Sequence, residues 1–485
     1  VQVKEMTRTL IMAFIFLLVG LPASSLAQAG EPADERLLSN QVKTIDWVRF
    51  KKLPYRNQHQ ELSAQILRNS AIWGSEWVEQ AYKLSEQGDR YLIPNLNREQ
   101  VIRPGCSVAV GLAVAIKTGI VKEDPEAFKV TEEELTVRTA RLIKGLVAIH
   151  KANGGEWGDH WQSSLWAALL GRAAWMLWES VDDETREMVC NVVVFEADRF
   201  IREGYRVPYW NGKGGDSKAE ENSWEAMILQ QAIAMLPDHQ NVIRWKRVCS
   251  ELQISAYARI SDMEKTQPVL DGRSPKEWLG GYNLREDGIV INHGLVHNDY
   301  MSSIAHLQMQ GFLVSSLADT PVSETTDFNF DVIYRTMVTK HFNSPPYKAP
   351  GGTMYIPGKA EQYYPQGTDW STLRFTCFLG LDTFADVLEY DKGLPHKASH
   401  WRKLRAEKIL EMQSRHADGR MYAQGEFDSY PGREQMVLWM LGDSYLLQWL
   451  ADRKAIAKKG NWLSDAAVQQ APVGDVLTAA PAQGR

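Results

Sequence analysis

Cysteine is scarce: there are 4 in 485 residues, Cys106, Cys190, Cys249 and Cys377, far apart and each within an apolar stretch. No C-x-x-C occurs, which argues against a zinc ribbon or a redox pair. Four thiols allow three pairings, and burial as free thiols competes with all of them. An excess of one charge is also missing. Lys plus Arg number 54 against 60 Asp plus Glu, a net of −6 with no long basic run. The chain therefore lacks the concentrated cationic face that a nucleic-acid partner requires. Strand signals are few, the best being Gly288 to Ile291. No repeat of fixed period runs through the chain, which argues against a regular solenoid. The apolar run from Leu10 to about Leu21 falls short of the ~20 residues that a membrane-spanning helix needs.

That run reads as an address. Met6 to Ala29 combines a short basic segment holding Arg8, the apolar run, and small residues ending in Ala27-Gln28-Ala29, the pattern of a secretory signal. The expectation is a signal peptide over residues 1–29, with Met6 the better start, and a secreted or periplasmic protein. No cysteine follows the apolar run, so a lipid anchor is not expected, nor is stable membrane insertion after signal removal.

What is present is helical periodicity. Leu165 to Trp178 is apolar almost all round, marking a helix buried on most faces. Asp182 to Arg202 opens with acidic residues that suit the positive end of a helix. Ser217–Leu236 and Asn241–Arg259 form a pair joined at Pro237-Asp238. Helical patterns also cover about Glu61–Gln87, Glu132–Lys151, Tyr300–Ala318, Thr326–His341, Asp369–Leu388, His396–Arg415 and Gln435–Arg453. Helices of this length, separated by loops rich in Gly, Trp, Tyr and Asn, suggest an all-α chain of antiparallel helix pairs. We read it as an α/α toroid over residues 30–453 with its long loops at one mouth. From residue 454 to 485 Ala, Pro and Gln dominate, with few large apolar groups to offset ordering entropy, and a flexible tail is expected.

Rings with a polar edge are abundant, 17 Trp and 17 Tyr against 14 Phe. Within helices they suit the core. In Gly-rich loops they suit a groove in which the ring packs on a sugar face while Tyr O–H or Trp N–H bonds its hydroxyls. Such loops collect polar residues in four places. Asn153 to Trp161 carries Glu156, Trp157, Asp159 and His160. Tyr209 to Trp224 carries Asp216, Glu220, Glu221, Asn222 and Trp224, although acids near a helix start also serve simply as dipole partners. Trp278 to Tyr300 is the densest, with Tyr282, Asn283, Arg285, Asn292, His293, His297, Asn298, Asp299 and Tyr300. Two of its histidines lie four apart, which on a helix puts both on one face. Tyr363 to Arg374 holds Tyr364 and Arg374, and Gln424 to Arg433 has the same texture and ends in Arg433.

β-Elimination beside a uronate needs a base for the proton next to the carboxylate, a group to neutralise that carboxylate, and an acid for the leaving oxygen. On this chemistry His293, or His297 in its place, is the base and Tyr300 the acid. Asn292, Asn222, Arg374 or Arg433 would grip the carboxylate. Hydrolysis instead needs two carboxyl groups roughly 5–9.5 Å apart, which Glu156, Asp159, Glu220, Glu221 or Asp299 could supply. A zinc reading of His293-x3-His297 with Asp299 lacks the internal Glu of H-E-x-x-H. Structural calcium through Asp216, Glu220 or Asp299 has no loop pattern behind it. No cofactor is expected.

In its export signal, helical organisation, aromatic loops and Asn292-His293…Tyr300 cluster, the chain resembles the secreted α/α-toroid polysaccharide lyases of chondroitin, alginate and heparinase type. The likeness spans about Glu61 to Trp449 in outline. It implies elimination on an acidic glycan with an unsaturated uronate product, and an Asn, His, Tyr and Arg set as the machinery. The large C-terminal β-sandwich that many members carry is not evident, because helical patterns continue to about Arg453. A glycoside hydrolase on the same fold and a non-catalytic glycan-binding protein are the competing readings.

Overall fold

The computed structural model describes residues 37–51, 58–426 and 432–464. The chain divides into Val1–Leu37 and Leu38–Arg485. The expected signal peptide and residues 465–485 of the expected tail lie outside the described residues. Within the second unit the protein is mostly helical, as expected.

Fifteen α-helices follow one another among the described residues: α1 Gln58–Ala81, α2 Glu99–Lys117, α3 Ile120–Glu123, α4 Pro125–Phe128, α5 Glu132–Ala148, α6 Ser163–Met176, α7 Asp183–Asp198, α8 Ala219–Met235, α9 Val242–Ala256, α10 Pro275–Trp278, α11 Asn298–Ala318, α12 Phe330–Thr339, α13 Phe375–Val387, α14 Ala398–Gln413 and α15 Arg433–Asp452. Their starts follow local chemistry. Thr131 and Glu134 form a capping box at α5, and the Asp182 carboxylate accepts from Thr185 N at 2.8 Å to open α7, each satisfying N–H groups that lack an intrahelical partner.

Two kinds of helix alternate. Every residue of α6 and of α11 is buried, and α2, α8, α13 and α15 are buried over most of their surface. By contrast α1, α5, α7, α9 and α14 bury one stripe and expose the other. The buried set is in contact in the order α2, α6, α8, α11, α13, α15, and α15 packs back on α2. Each amphipathic helix backs onto this set: α5 on α2, α7 on α6, α9 on α8, α14 on α13 and α1 on α15. A helix apolar on all sides has to be surrounded, whereas a striped one needs a single covered face. The α2–α15 contact is close because both helices place glycine at it. A Cβ on Gly111 would lie 2.9 Å from the Leu438 carbonyl oxygen, and Gly442 faces the Gly111 Cα.

The α2 helix, absent from the expected set, is long and apolar enough to cross a membrane but is buried inside the fold as a core helix. Strands are pairs of two residues, and Gly288 to Ile291 contributes only its last residue, to β3. In chain order these are β1 Lys83–Leu84 with β2 Tyr91–Leu92, β3 Ile291–Asn292 with β4 Leu295–Val296, β5 Val322–Ser323, β6 His341–Phe342 with β7 Gly352–Thr353, and β8 Lys459–Gly460. The last falls within the first residues of the expected tail. β8 pairs in parallel with β5, the Trp462 indole donates to Ser250 Oγ at 2.8 Å, and Leu463 is buried. All four cysteines are free and buried.

Candidate functional site

The buried helices open onto a cavity of ≈ 350 Å³. Its lining comes from their first halves: Glu99 and Arg103 of α2, Leu165 of α6, Glu220 and Trp224 of α8, Tyr300, Ser303, His306 and Leu307 of α11, and Arg433, Met436, Trp439 and Met440 of α15. Arg374, at the start of α13, joins them, with Trp161, Gln162, His293 and Trp370 from the loops. Six helix N-termini thus face one space, and the partial positive charge at each favours an anion there. Arg103, Arg374 and Arg433 add formal charge of the same sign. Burial lowers Arg103 to about 10, which leaves it protonated at neutral pH.

His293 sits at the turn between β3 and β4 in a left-handed conformation (φ 49°). Its N–H donates to Asp216 Oδ1 at 2.6 Å and to Asn292 Oδ1 at 3.0 Å. The Gly-rich loop before α8 pins this hairpin through Gly294 N to Gly215 O (3.0 Å) and Ser217 N to Ile291 O (2.8 Å). A Cβ on Gly215 would stand 3.1 Å from Gly294 N, so glycine permits the close approach. The two histidines therefore do not share a helix face: His293 belongs to the hairpin and His297 is the N-cap residue of α11. They meet instead at Asp369, which precedes α13. His293 Nδ1 donates to Asp369 Oδ2 at 2.6 Å and His297 Nε2 to Asp369 Oδ1 at 3.0 Å. That arrangement leaves His293 Nε2 to accept from the Tyr300 hydroxyl at 3.2 Å. The result is a Tyr300–His293–Asp369 relay at the cavity wall.

The electrostatics follow from burial. His297 is pushed down to about 4 by desolvation, against the pull of Asp369, and is neutral at physiological pH. Desolvation, together with the neighbouring Glu220 carboxylate, raises the Tyr300 phenol. Burial would raise Asp369, but hydrogen bonds from His297 and His293 hold it below its ordinary range. Burial first, and Glu221 second, pushes Glu220 up to about 8, so this cavity-facing carboxyl carries a proton at pH 7. Buried Asp299 rises to about 6; its oxygens accept from Tyr364 and Thr368, each at 3.3 Å. Trp370 gathers the site, with its ring 4.6 Å from Tyr300 and the Arg374 guanidinium 3.9 Å from its centre.

No family model, curated protein or solved structure matches the chain. The site therefore has to be read from its own geometry.

Of the residues expected at a site, His293, Tyr300, Glu220, Trp224, Arg374 and Arg433 line the cavity, while His297, Asp299 and Tyr364 lie just behind it. The others stand elsewhere. Asn222 is buried, donating to Pro208 O (3.0 Å) and Ser255 Oγ (2.7 Å), and Asn292 bonds the hairpin turn. Asn283 accepts from Trp210 N and Lys218 N. Glu221 pairs with Lys218 at 2.9 Å, and Tyr282 stacks edge-on with Trp210 outside the cavity.

Glu156 is exposed, Trp157 is fully buried with its N–H on Leu146 O, and His160 stacks on Trp166. Asp159 pairs with Arg199 (3.0 Å) and Arg202 (3.3 Å). These residues surround a buried carboxylate, Glu196. It takes hydrogen bonds from Ser163 Oγ (2.8 Å), Asp159 N (2.8 Å) and Arg199 (2.6 Å), and contacts His150 at 3.3 Å. Burial alone would raise Glu196, but His150 and Arg199 outweigh it and hold the group at about 2. A folded-state value below the unfolded one adds stability that is complete above about pH 4.5 and fades as pH falls toward 2. A shift of this size is worth about 3 kcal/mol. Glu196→Gln is expected to lower stability at pH 7 by about that amount and to flatten its loss between pH 4.5 and 2. Urea midpoints of both proteins across that range check this, and parallel acid limbs would refute it.

Asp369, Trp370, Glu99, Arg103 and His306 were not singled out from sequence, and Trp161 appeared only as the end of the first polar segment. One signal was there: Glu99 and Arg103 are four apart at the head of an otherwise apolar segment, which marks a buried ion pair or a polar cavity wall.

Proposed function

We propose that the buried and striped helices form an α/α toroid, six helices within and their partners outside. On this reading the protein is an exported carbohydrate-active enzyme, a polysaccharide lyase that cleaves a uronic-acid-containing glycan by β-elimination. The observation that carries it is the Tyr300 hydroxyl 3.2 Å from His293 Nε2, with Asp369 behind the imidazole.

In the reaction His293 Nε2 takes the proton from the carbon bearing the carboxylate. Electrons from that C–H bond form the new C=C bond, and the C–O bond to the leaving sugar breaks. Tyr300 gives its hydroxyl proton to the departing oxygen. The same 3.2 Å contact then returns the proton from imidazolium to phenolate, so the relay is restored with no water consumed. Asp369 keeps the imidazole in the needed tautomer and stabilises its charged form. Arg374 and Arg433 neutralise the uronate carboxylate, with the six helix N-termini adding to the field. Trp161 and Trp370 offer flat apolar faces to the sugar rings, and Trp224 packs edge-on beneath Trp161. On this reading the ligand is an acidic oligo- or polysaccharide.

Glu220 favours a second reading. A carboxyl that stays protonated to about pH 8 on the cavity wall has the state of a glycosidase general acid. A panel of acidic polysaccharides separates the two. Elimination yields far-ultraviolet absorbance from the conjugated double bond in step with new reducing ends. Reducing ends without that absorbance, lost in Glu220→Gln, would replace the lyase with a hydrolase. Binding without either signal would leave a glycan-binding protein.

A further inference from the structure

His297 contains an atom that the relay does not explain. The side chain is buried, and its Nε2 proton goes to Asp369. Its Nδ1 is then a bare acceptor without a hydrogen-bond partner, 3.8 Å from Asp299 Oδ2. A buried nitrogen with no partner, beside a carboxylate whose ionised form repels its lone pair, is costly. The opposite tautomer removes the conflict: Nδ1–H faces Asp299, and Nε2 becomes a lone pair aimed at Asp369. That form sets a nitrogen lone pair opposite a carboxylate oxygen at 3.0 Å, a pairing of two donors of electron density that suits a cation.

His293 completes the pattern. One ring nitrogen of each histidine and an Asp369 oxygen all lie within 4.8 Å of one another, and the nitrogens that face Asp369 are His293 Nδ1 (2.6 Å) and His297 Nε2 (3.0 Å). They come from two separate stretches of chain, the hairpin leading into α11 and the loop before α13. In each ring the second nitrogen faces an oxygen, Asp299 for His297 and Tyr300 for His293. Imidazoles that hold a metal are oriented in this way, passing their other N–H to an oxygen behind.

We propose that His293 Nδ1, His297 Nε2 and the Asp369 carboxylate form a binding site for one divalent ion of the zinc type, open toward the cavity. Asp369 takes the place that the sequence spacing offered to Asp299, and Asp299 stands behind His297 instead. Two imidazoles and a carboxylate suit zinc in chemistry, and three protein ligands leave a position for water or ligand. No proton need be lost on loading, because each imidazole moves its proton to its other nitrogen. His293 Nε2 then carries hydrogen and cannot accept one. On the elimination reading, therefore, the loaded protein is the inactive form. That consequence rests on the proposed function, whereas the site itself does not.

Binding is read with no glycan present, which keeps failure of the site distinct from failure of the lyase reading. Calorimetric titration of the metal-stripped protein with ZnCl2 is expected to show one saturable site. CoCl2 should produce the visible absorption of a low-coordinate cobalt centre, displaced by ZnCl2. His297→Ala and Asp369→Asn should each abolish both signals with near-ultraviolet circular dichroism unchanged. Asp299→Asn, which touches no ion, should weaken ZnCl2 by about 10- to 100-fold. Absence of a one-to-one site in the unaltered protein overturns the proposal. So does ZnCl2 affinity that survives both His297→Ala and Asp369→Asn.

Discussion

His293→Ala is expected to reduce turnover on the productive glycan by about 10³-fold or more, within the range typical of a positioned acid–base group, while glycan affinity changes little. The imidazole reaches into the cavity from a hairpin turn and touches the inner helices only through the Tyr300 ring of α11. Its side chain keeps roughly a third of its surface exposed, 37%, so its removal leaves little void. On the proposed reading affinity resides with Arg374, Arg433 and the Trp161 and Trp370 faces, which the substitution does not touch. Tyr300→Phe should give a loss of similar size, and the double variant little more than either alone, because a relay acts as a unit. Steady-state kinetics with an independent binding measurement test this. A His293→Ala protein that retains turnover, or that loses binding and turnover together, would remove the relay from the mechanism.

The second large effect concerns the cavity floor. Asp443 is fully buried and forms an ion pair with Arg172, itself 1% exposed. It also accepts from Gln310 (2.6 Å) and the Trp439 indole (2.5 Å) and contacts His306 Nε2 at 3.1 Å. One carboxylate thus joins α6, α11 and α15 in the middle of the fold. Asp443→Ala leaves a buried guanidinium uncompensated and is expected to cost about 3–5 kcal/mol, since breaking a buried pair exposes the desolvation penalty of the remaining charge. Replacing both partners, Arg172→Met with Asp443→Ala, should recover much of that loss, giving a strong coupling in the double-mutant cycle. Denaturation midpoints measure both. A loss below about 1 kcal/mol for Asp443→Ala would mean that packing, and not the carboxylate, holds the centre.

The two effects mark the boundary between what was legible and what was not. The all-apolar face of Leu165 to Trp178 announced a surrounded helix, and α6 is one. The α2 helix escaped because Glu99, Arg103, Pro104 and Gly105 interrupt its opening turns. Those interruptions are where it meets the cavity or a neighbour: Glu99 and Arg103 line the wall, and Gly105 lies against Leu146. The spacing of His293 and His297 suggested a shared helix face, yet a hairpin with a left-handed turn separates them. Their common partner Asp369 lies 76 and 72 residues further along, beyond the reach of any local pattern. The textures of the Trp278–Tyr300 and Tyr363–Arg374 segments singled out stretches whose side chains meet at one cavity. The sequence could not say which of their polar groups face the cavity and which, like Asn283, tie loops together.

The amino-acid sequence by itself determined the helical class, the surrounded character of Leu165 to Trp178, and the loops where polar and aromatic groups collect. Each of those depends on near neighbours in the chain, whose burial repeats with the helical period. Only the tertiary structure decided that six helix starts share one space, that Tyr300, His293 and Asp369 form a line, and that Asp443 anchors the floor. Those outcomes depend on the order in which helices pack, a property of contacts between distant segments that no local periodicity encodes.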